Sequence, residues 1–280
     1  VWSCISAQGI ENFTPPAGVE HVIVFADNDA NFAGQAAAYR AAHRLKLKDF
    51  DVEGVVPEII GDWLAALDPG TIGRAHSAVP LHHGVGAESL AEIEDAYGAA
   101  GLPPVFRLAD CEGLAGVAER LKARRYRPTQ PTMVEIAPVK AMAAAGSSGR
   151  ADLADRPWEG WGEVFSGPGF DPADGAHRVA ALSRAGDAVF AGVRDGDATL
   201  AVGVMAFGHG WASIHGMRTR TERRGEGLAG RILSTFADAA LGRGVERVFL
   251  QVEEGNPARR LYRRFGFEPA WRYHYWRQDT

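Results

Sequence analysis

Met217-Arg218-Thr219-Arg220-Thr221-Glu222-Arg223-Arg224-Gly225-Glu226-Gly227-Leu228-Ala229 joins a stretch that reads as a strand to one that reads as a helix. Glycines at such a junction let backbone N–H groups converge on one concavity, and the helix after it offers unpaired N-terminal donors and the positive end of its dipole. Arg218, Arg220, Arg223, Arg224 and Arg231 stand against Glu222 and Glu226, so residues 218–231 carry an excess of three positive charges in a chain of formal net charge -5. These residues fit a pyrophosphate site. A solvated basic turn is the other reading that charge alone allows.

Arg224-Gly225-Glu226-Gly227-Leu228-Ala229 resembles the Arg/Gln-x-x-Gly-x-Gly/Ala loop of the GNAT superfamily of acetyl-CoA-dependent N-acyltransferases. Farther on, Phe249-Leu250-Gln251-Val252-Glu253-Glu254-Gly255-Asn256-Pro257-Ala258-Arg259-Arg260-Leu261-Tyr262-Arg263-Arg264-Phe265-Gly266-Phe267 is similar to that family's last strand and helix, with its Leu-Tyr-x-x-x-Gly-Phe ending. The resemblance covers roughly residues 150–280. It implies an α/β (α+β) GNAT fold with a mixed central sheet, and acetyl-CoA in a wedge between parallel strands at 211–218 and 247–252. By the same resemblance Met217, Arg218 and Thr219 lie along the pantetheine arm. Arg224, Gly225, Glu226, Gly227, Leu228 and Ala229 take the pyrophosphate, Asn256 touches the cofactor, and Tyr262 is the general acid for the departing thiolate. A phenol suits that last role because it keeps its proton at neutral pH.

The chain departs from the family pattern at three places. Thr221 replaces a proline before the loop, and Asn256 precedes Tyr262 by six residues instead of seven. Ser213 occupies the strand position where many members carry a glutamate base, which leaves His215 and Glu253 as the nearest ionisable candidates.

The rest of the chain reads outward from this core. Strands are expected near 188–194, 199–207, 211–218, 247–252 and 271–276, with hairpin signals at Asp195-Gly196-Asp197 and Gly208-His209-Gly210. Helices are expected near 174–184, 228–241 and 257–265. Upstream, residues 61–81 read as a hairpin. A helix at 88–100, a strand at 104–108, a helix at 114–125 and a strand at 132–137 come next. The small and polar run from Ala141 to Gly149 reads as a linker. Val105-Phe106 matches Val248-Phe249, and Ala118, Arg120, Leu121 and Arg124 match Ala258, Arg260, Leu261 and Arg264, so the two halves read as a tandem repeat. The first copy has His82-His83-Gly84-Val85-Gly86 in place of the basic loop and Lys122 in place of Tyr262. It is expected to be a degenerate GNAT-like lobe at 57–140, beside an acetyl-CoA-binding catalytic domain at 141–280.

Residues 1–56 resemble a different family, the Toprim domain of phage-type and DnaG-type primases, through Val22-Ile23-Val24-Phe25-Ala26-Asp27-Asn28-Asp29 and the helix-like run after it. That family's Asp-x-Asp pair holds magnesium together with a glutamate from an earlier strand. The glutamate's place would lie ahead of Val1, so the segment is read as a truncated, Rossmann-like β-α-β piece without its own catalysis.

Composition bounds the function. Cys4 and Cys111 stand alone, which indicates neither a disulfide framework nor a zinc site, and no metal is expected for the transferase. No run approaches the roughly 20 apolar residues of a membrane helix, and the expected location is the cytoplasm. The expected enzyme is an N-acetyltransferase acting on a small-molecule or peptide amine, with nucleic acid an unfavoured partner of an acidic chain and a homodimer one assembly the reading allows. A Toprim-related nucleic-acid binder and a CoA-binding protein without turnover are the alternatives.

Overall fold

The computed structural model describes residues 57–278, which divide into two compact units, 57–129 with 274–278, and 130–273. The readings placed on residues 1–56 lie outside the described residues. In the first unit β1 (Pro57–Ile60) and β2 (Trp63–Ala66) pair antiparallel across a turn at Gly61-Asp62. The expected hairpin of 61–81 is β2 with β3 (Ala78–Pro80), joined through a short 3-10 turn at Gly73–His76. Helix α1 (Leu90–Ala99) buries Leu90, Ile93 and Tyr97, spaced along one face. The Tyr97 hydroxyl donates to the Ala66 carbonyl at 2.8 Å, which satisfies the one polar atom of that buried ring. Strand β4 (Phe106–Ala109) runs parallel to β3, and α2 (Ala115–Ala123) comes after it. Trp63, Phe106 and Tyr126 meet edge-to-face in the core of this unit.

The second unit is built on a mixed sheet. Strand β5 (Tyr126–Pro138) enters it, and α3 (Val139–Ala145), β6 (Asp152–Ala154), α4 (Pro172–Ser183), β7 (Ala188–Asp195), β8 (Ala198–Gly208) and β9 (Trp211–Thr219) succeed it. Then come α5 (Leu228–Gly242), β10 (Arg247–Glu253), α6 (Arg259–Arg264) and β11 (Glu268–Gln278). The strand order β5-β10-β9-β8-β7-β6 is antiparallel except at β9 and β10, which are parallel. Both expected hairpin turns are present, at Asp195↔Ala198 and Gly208↔Trp211. Helix α5 lays Ile232, Leu233, Phe236, Ala237 and Ala240 on one sheet face, against Ala201, Met205, Ile214, Val248 and Leu250. Fully burying each large side chain of that stripe stabilises by roughly 1.5–3 kcal/mol. On the other face Trp161, Val164 and Phe165 cover Phe190, Val202, Val204 and Ala206.

Two expectations change. The first half of the stretch read as a linker belongs to helix α3, which places Val139 and Met142 in the same core as α5. Alanine runs suit a helix as well as a linker, and burial of those two residues decides between them. The passage between units falls at Thr129/Gln130 and again at Tyr273/His274, where the sequence reading put a single boundary at 140/141. The reason is register: residues 132–138 form the antiparallel ladder with β10, so the end of the first repeat is a working strand of the second unit. The repeat itself is visible in the matching order of β3-α1-β4-α2 and β9-α5-β10-α6, each with its strands parallel.

Candidate active site

Strands β9 and β10 stay paired only from Trp211/Arg247 to Ile214/Leu250, although β9 continues to Thr219 and β10 to Glu253. The parting coincides with a bulge. The β8–β9 register jumps from Val204↔His215 to Val202↔Arg218, so β9 carries one extra residue there. Gly216 absorbs it at a φ of 59°, and a Cβ at that position would lie 2.6 Å from Leu182. Bulges bend a strand and sharpen its twist, and here one falls where the β9–β10 pairing ends, at the place of the expected wedge. Ser213 and His215 stand across from Ala206 and Val204, on the face covered by Trp161 and Phe165. Met217 turns to the α5 side, against Gly203.

The loop beyond the wedge runs through a 3-10 turn at Thr221–Arg223 to Gly227, the residue before α5. Gly225 and Gly227 have φ of 86° and 78°, a region glycine enters without cost, and the space where a Cβ would stand is open at both. No side chain caps α5. Its first N–H groups are therefore unclaimed by a capping side chain and suited to an anion. The arginines contribute less than their number suggests. Arg220 donates to the Thr199 carbonyl at 2.6 Å and Arg231 to the Arg150 carbonyl at 2.7 Å. Arg223 holds Glu226 at 2.8 Å, and that guanidinium keeps the Glu226 carboxyl below its usual range. Arg224 and Arg218 instead face Phe170.

Tyr262 projects from α6 into the core, edge-on to Phe267 at 6.0 Å. Burial pushes its phenol up to about 12, with the Glu135 carboxylate adding to the effect. Glu135 lies on β5 opposite Leu250, in the row where the wedge begins, and is 0% exposed. Its Oε1 accepts from Arg259 Nε at 2.7 Å, while Oε2 has no hydrogen-bond partner among the described residues. Sequence reasoning missed it because it was counted in the first repeat. The available signal was an acid inside the apolar run Val134-Glu135-Ile136-Ala137.

The two base candidates separate. His215 Nε2 lies 2.8 Å from Ser213 Oγ, and that hydroxyl reaches the Ala206 carbonyl at 3.4 Å. If the hydroxyl proton points to Ala206, His215 donates from Nε2 and the basic lone pair is on Nδ1. Glu253 is exposed at the far end of β10, accepting from Gln130 at 2.7 Å. Asn256 Oδ1 accepts from the Ala258 N–H at 2.9 Å, shaping the turn into α6. In the first unit, at the loop counterpart, the Glu88 carboxylate takes the space beside Gly86 where a Cβ would stand.

Solved structures share this architecture. The GCN5-related N-acetyltransferase from Kribbella flavida superimposes with a TM-score of 0.61 at 16% identity, over 81% of this chain and 90% of that one. A tandem GNAT protein from the clavulanic acid biosynthesis pathway gives 0.56 at 15% identity, over 78% of each chain. Among curated proteins, the uncharacterized N-acetyltransferase YobR of Bacillus subtilis (strain 168) is 25% identical over 222 residues, 77% of this chain and 90% of the relative. The class is thus an acetyltransferase of the GNAT type. Within it, the chain belongs to the family described as "Probable histone acetyltransferase Rv0428c C-terminal", whose model matches residues 52–276. The N-terminal segment is Toprim-like, a Toprim domain model matching residues 1–68. Among the described residues no helix is long and apolar enough to cross a membrane, and no group of three His, Cys, Asp or Glu could hold a metal ion.

Proposed function

We propose that the chain transfers an acetyl group from acetyl-CoA to a primary amine by direct attack in a ternary complex. The observation that carries this reading is the parting of β9 from β10 after Ile214/Leu250, with the open Gly225–Gly227 loop leading from it into α5. Backbone groups of 224–229 hold the pyrophosphate, and those of Met217 and Thr219 hold the pantetheine arm. An amine of pKa ~10.4 must lose a proton before it attacks, and His215, oriented by Ser213, is the base on that face. The amine nitrogen bonds to the acyl carbon, the carbon–sulfur bond breaks, and sulfur leaves with its electron pair. A phenol near 12 is a much weaker acid than a thiol at ~8.5. Tyr262 therefore serves by donating a hydrogen bond to the sulfur, without complete proton transfer.

Acetyl-CoA near a millimolar is expected to raise the melting temperature, and thiol release is expected with part of an amine panel. No melting shift would sink the reading. Gly227→Val forces a branched side chain into the left-handed region and covers the loop donors. It is expected to weaken acetyl-CoA binding at least tenfold by calorimetry, and unaltered affinity would remove the loop from the site. His215→Gln is expected to lower turnover by roughly a hundredfold at neutral pH and to remove the acid limb of the rate profile. A profile unchanged in shape would exclude it as the base.

A further inference from the structure

The bulge at Gly216 has a second effect. With strict alternation from His215, Arg218 would point to the α5 side, but the extra residue brings it back across from Val202, on the face of Ser213 and His215. Its guanidinium lies 4.4 Å from the Phe170 ring centre and 5.6 Å from that of Phe165. Arg224 approaches the same Phe170 ring at 5.7 Å. Asp174, on α4, is the carboxylate beside them. It lies 2.6 Å from Arg178 Nε and only 4.0 Å from Arg218. Arg178 and Arg218 thus share Asp174, and Arg224 adds a further positive charge at the Phe170 ring. Burial first, then the neighbouring Arg178, holds Arg218 below the usual arginine range. A partly desolvated cation with surplus donors is completed by an anion, and a planar guanidinium matches a carboxylate best.

We propose that Arg218 and Arg178 bind a carboxylate of the acceptor, so that the acceptors are amines that also carry a carboxylate. The inference rests on the transferase reading above and narrows its substrate class. His215 and Arg218 face Val204 and Val202, two residues apart on β8, which is roughly 7 Å along a strand. That spacing suits a molecule whose amine and carboxylate are several bonds apart, more than an α-amino acid whose two groups are adjacent.

The test is a matched pair, 6-aminohexanoate and 6-aminohexanamide, with binding to the CoA-loaded protein by calorimetry and transfer by thiol release. The acid is expected to bind or react at least tenfold better than the amide, and Arg218→Gln to erase that difference. Equal behaviour of the pair, or neither binding nor transfer with the acid, would overturn the proposal. So would a variant whose loss is in acetyl-CoA affinity and disappears with 3′-dephospho-acetyl-CoA, because the anion would then be the cofactor's phosphate. Preferential binding of the acid without transfer to any amine would support the anion site while refuting the transferase reading.

Discussion

Arg259→Ala is expected to lower folding stability by about 3–5 kcal/mol, the cost typical of leaving one partner of a buried ion pair uncompensated. Glu135 is fully buried, and Arg259 is the cation paired with it at 2.7 Å. The same guanidinium also donates to the Glu254 carbonyl at 2.8 Å, so the truncation frees the turn before α6 as well. Removing both charges should be far milder, since a buried pair replaced by apolar groups is often neutral. Glu135→Leu with Arg259→Met is therefore expected to recover most of the loss. Urea midpoints followed by tryptophan fluorescence check both variants. A loss below about 1 kcal/mol for Arg259→Ala would show that water solvates the carboxylate in solution.

Tyr262→Phe is expected to reduce turnover by roughly a hundredfold while acetyl-CoA affinity stays within about threefold. Loss of one preorganised donor to a developing anion typically costs that much in rate. The phenyl ring keeps the packing against Phe267, so the change removes a donor with little loss of volume. Because burial pushes the phenol up to about 12, it stays protonated through neutral and mildly alkaline pH. Turnover of the parent enzyme should show no alkaline fall traceable to Tyr262 below pH ~11. Single-turnover thiol release separates the chemical step from product release, and an unchanged rate there would remove Tyr262 from the reaction.

Much of the candidate site was legible because it is local. A glycine that must adopt positive φ, a helix that starts directly after it, and a tyrosine at fixed spacing from a strand are all written within a few residues. The arginine count was less informative. Arg220 and Arg231 spend their donors on backbone carbonyls that lie 21 and 81 residues away in sequence, and charge arithmetic cannot see such partners. The composition that made 141–149 read as a linker is equally that of α3, where packing of Val139 and Met142 settles the matter.

Sequence alone therefore determined the acetyltransferase class, and it nominated the 224–229 loop and Tyr262 as site candidates, because each is specified by short-range pattern. Tertiary structure decided three other things. It made β5 a strand of the second unit, joined Glu135 to Arg259 across 124 residues, and set which face Arg218 occupies. Each depends on register between distant strands, and a single inserted residue, Gly216, reverses the face of every side chain after it on β9.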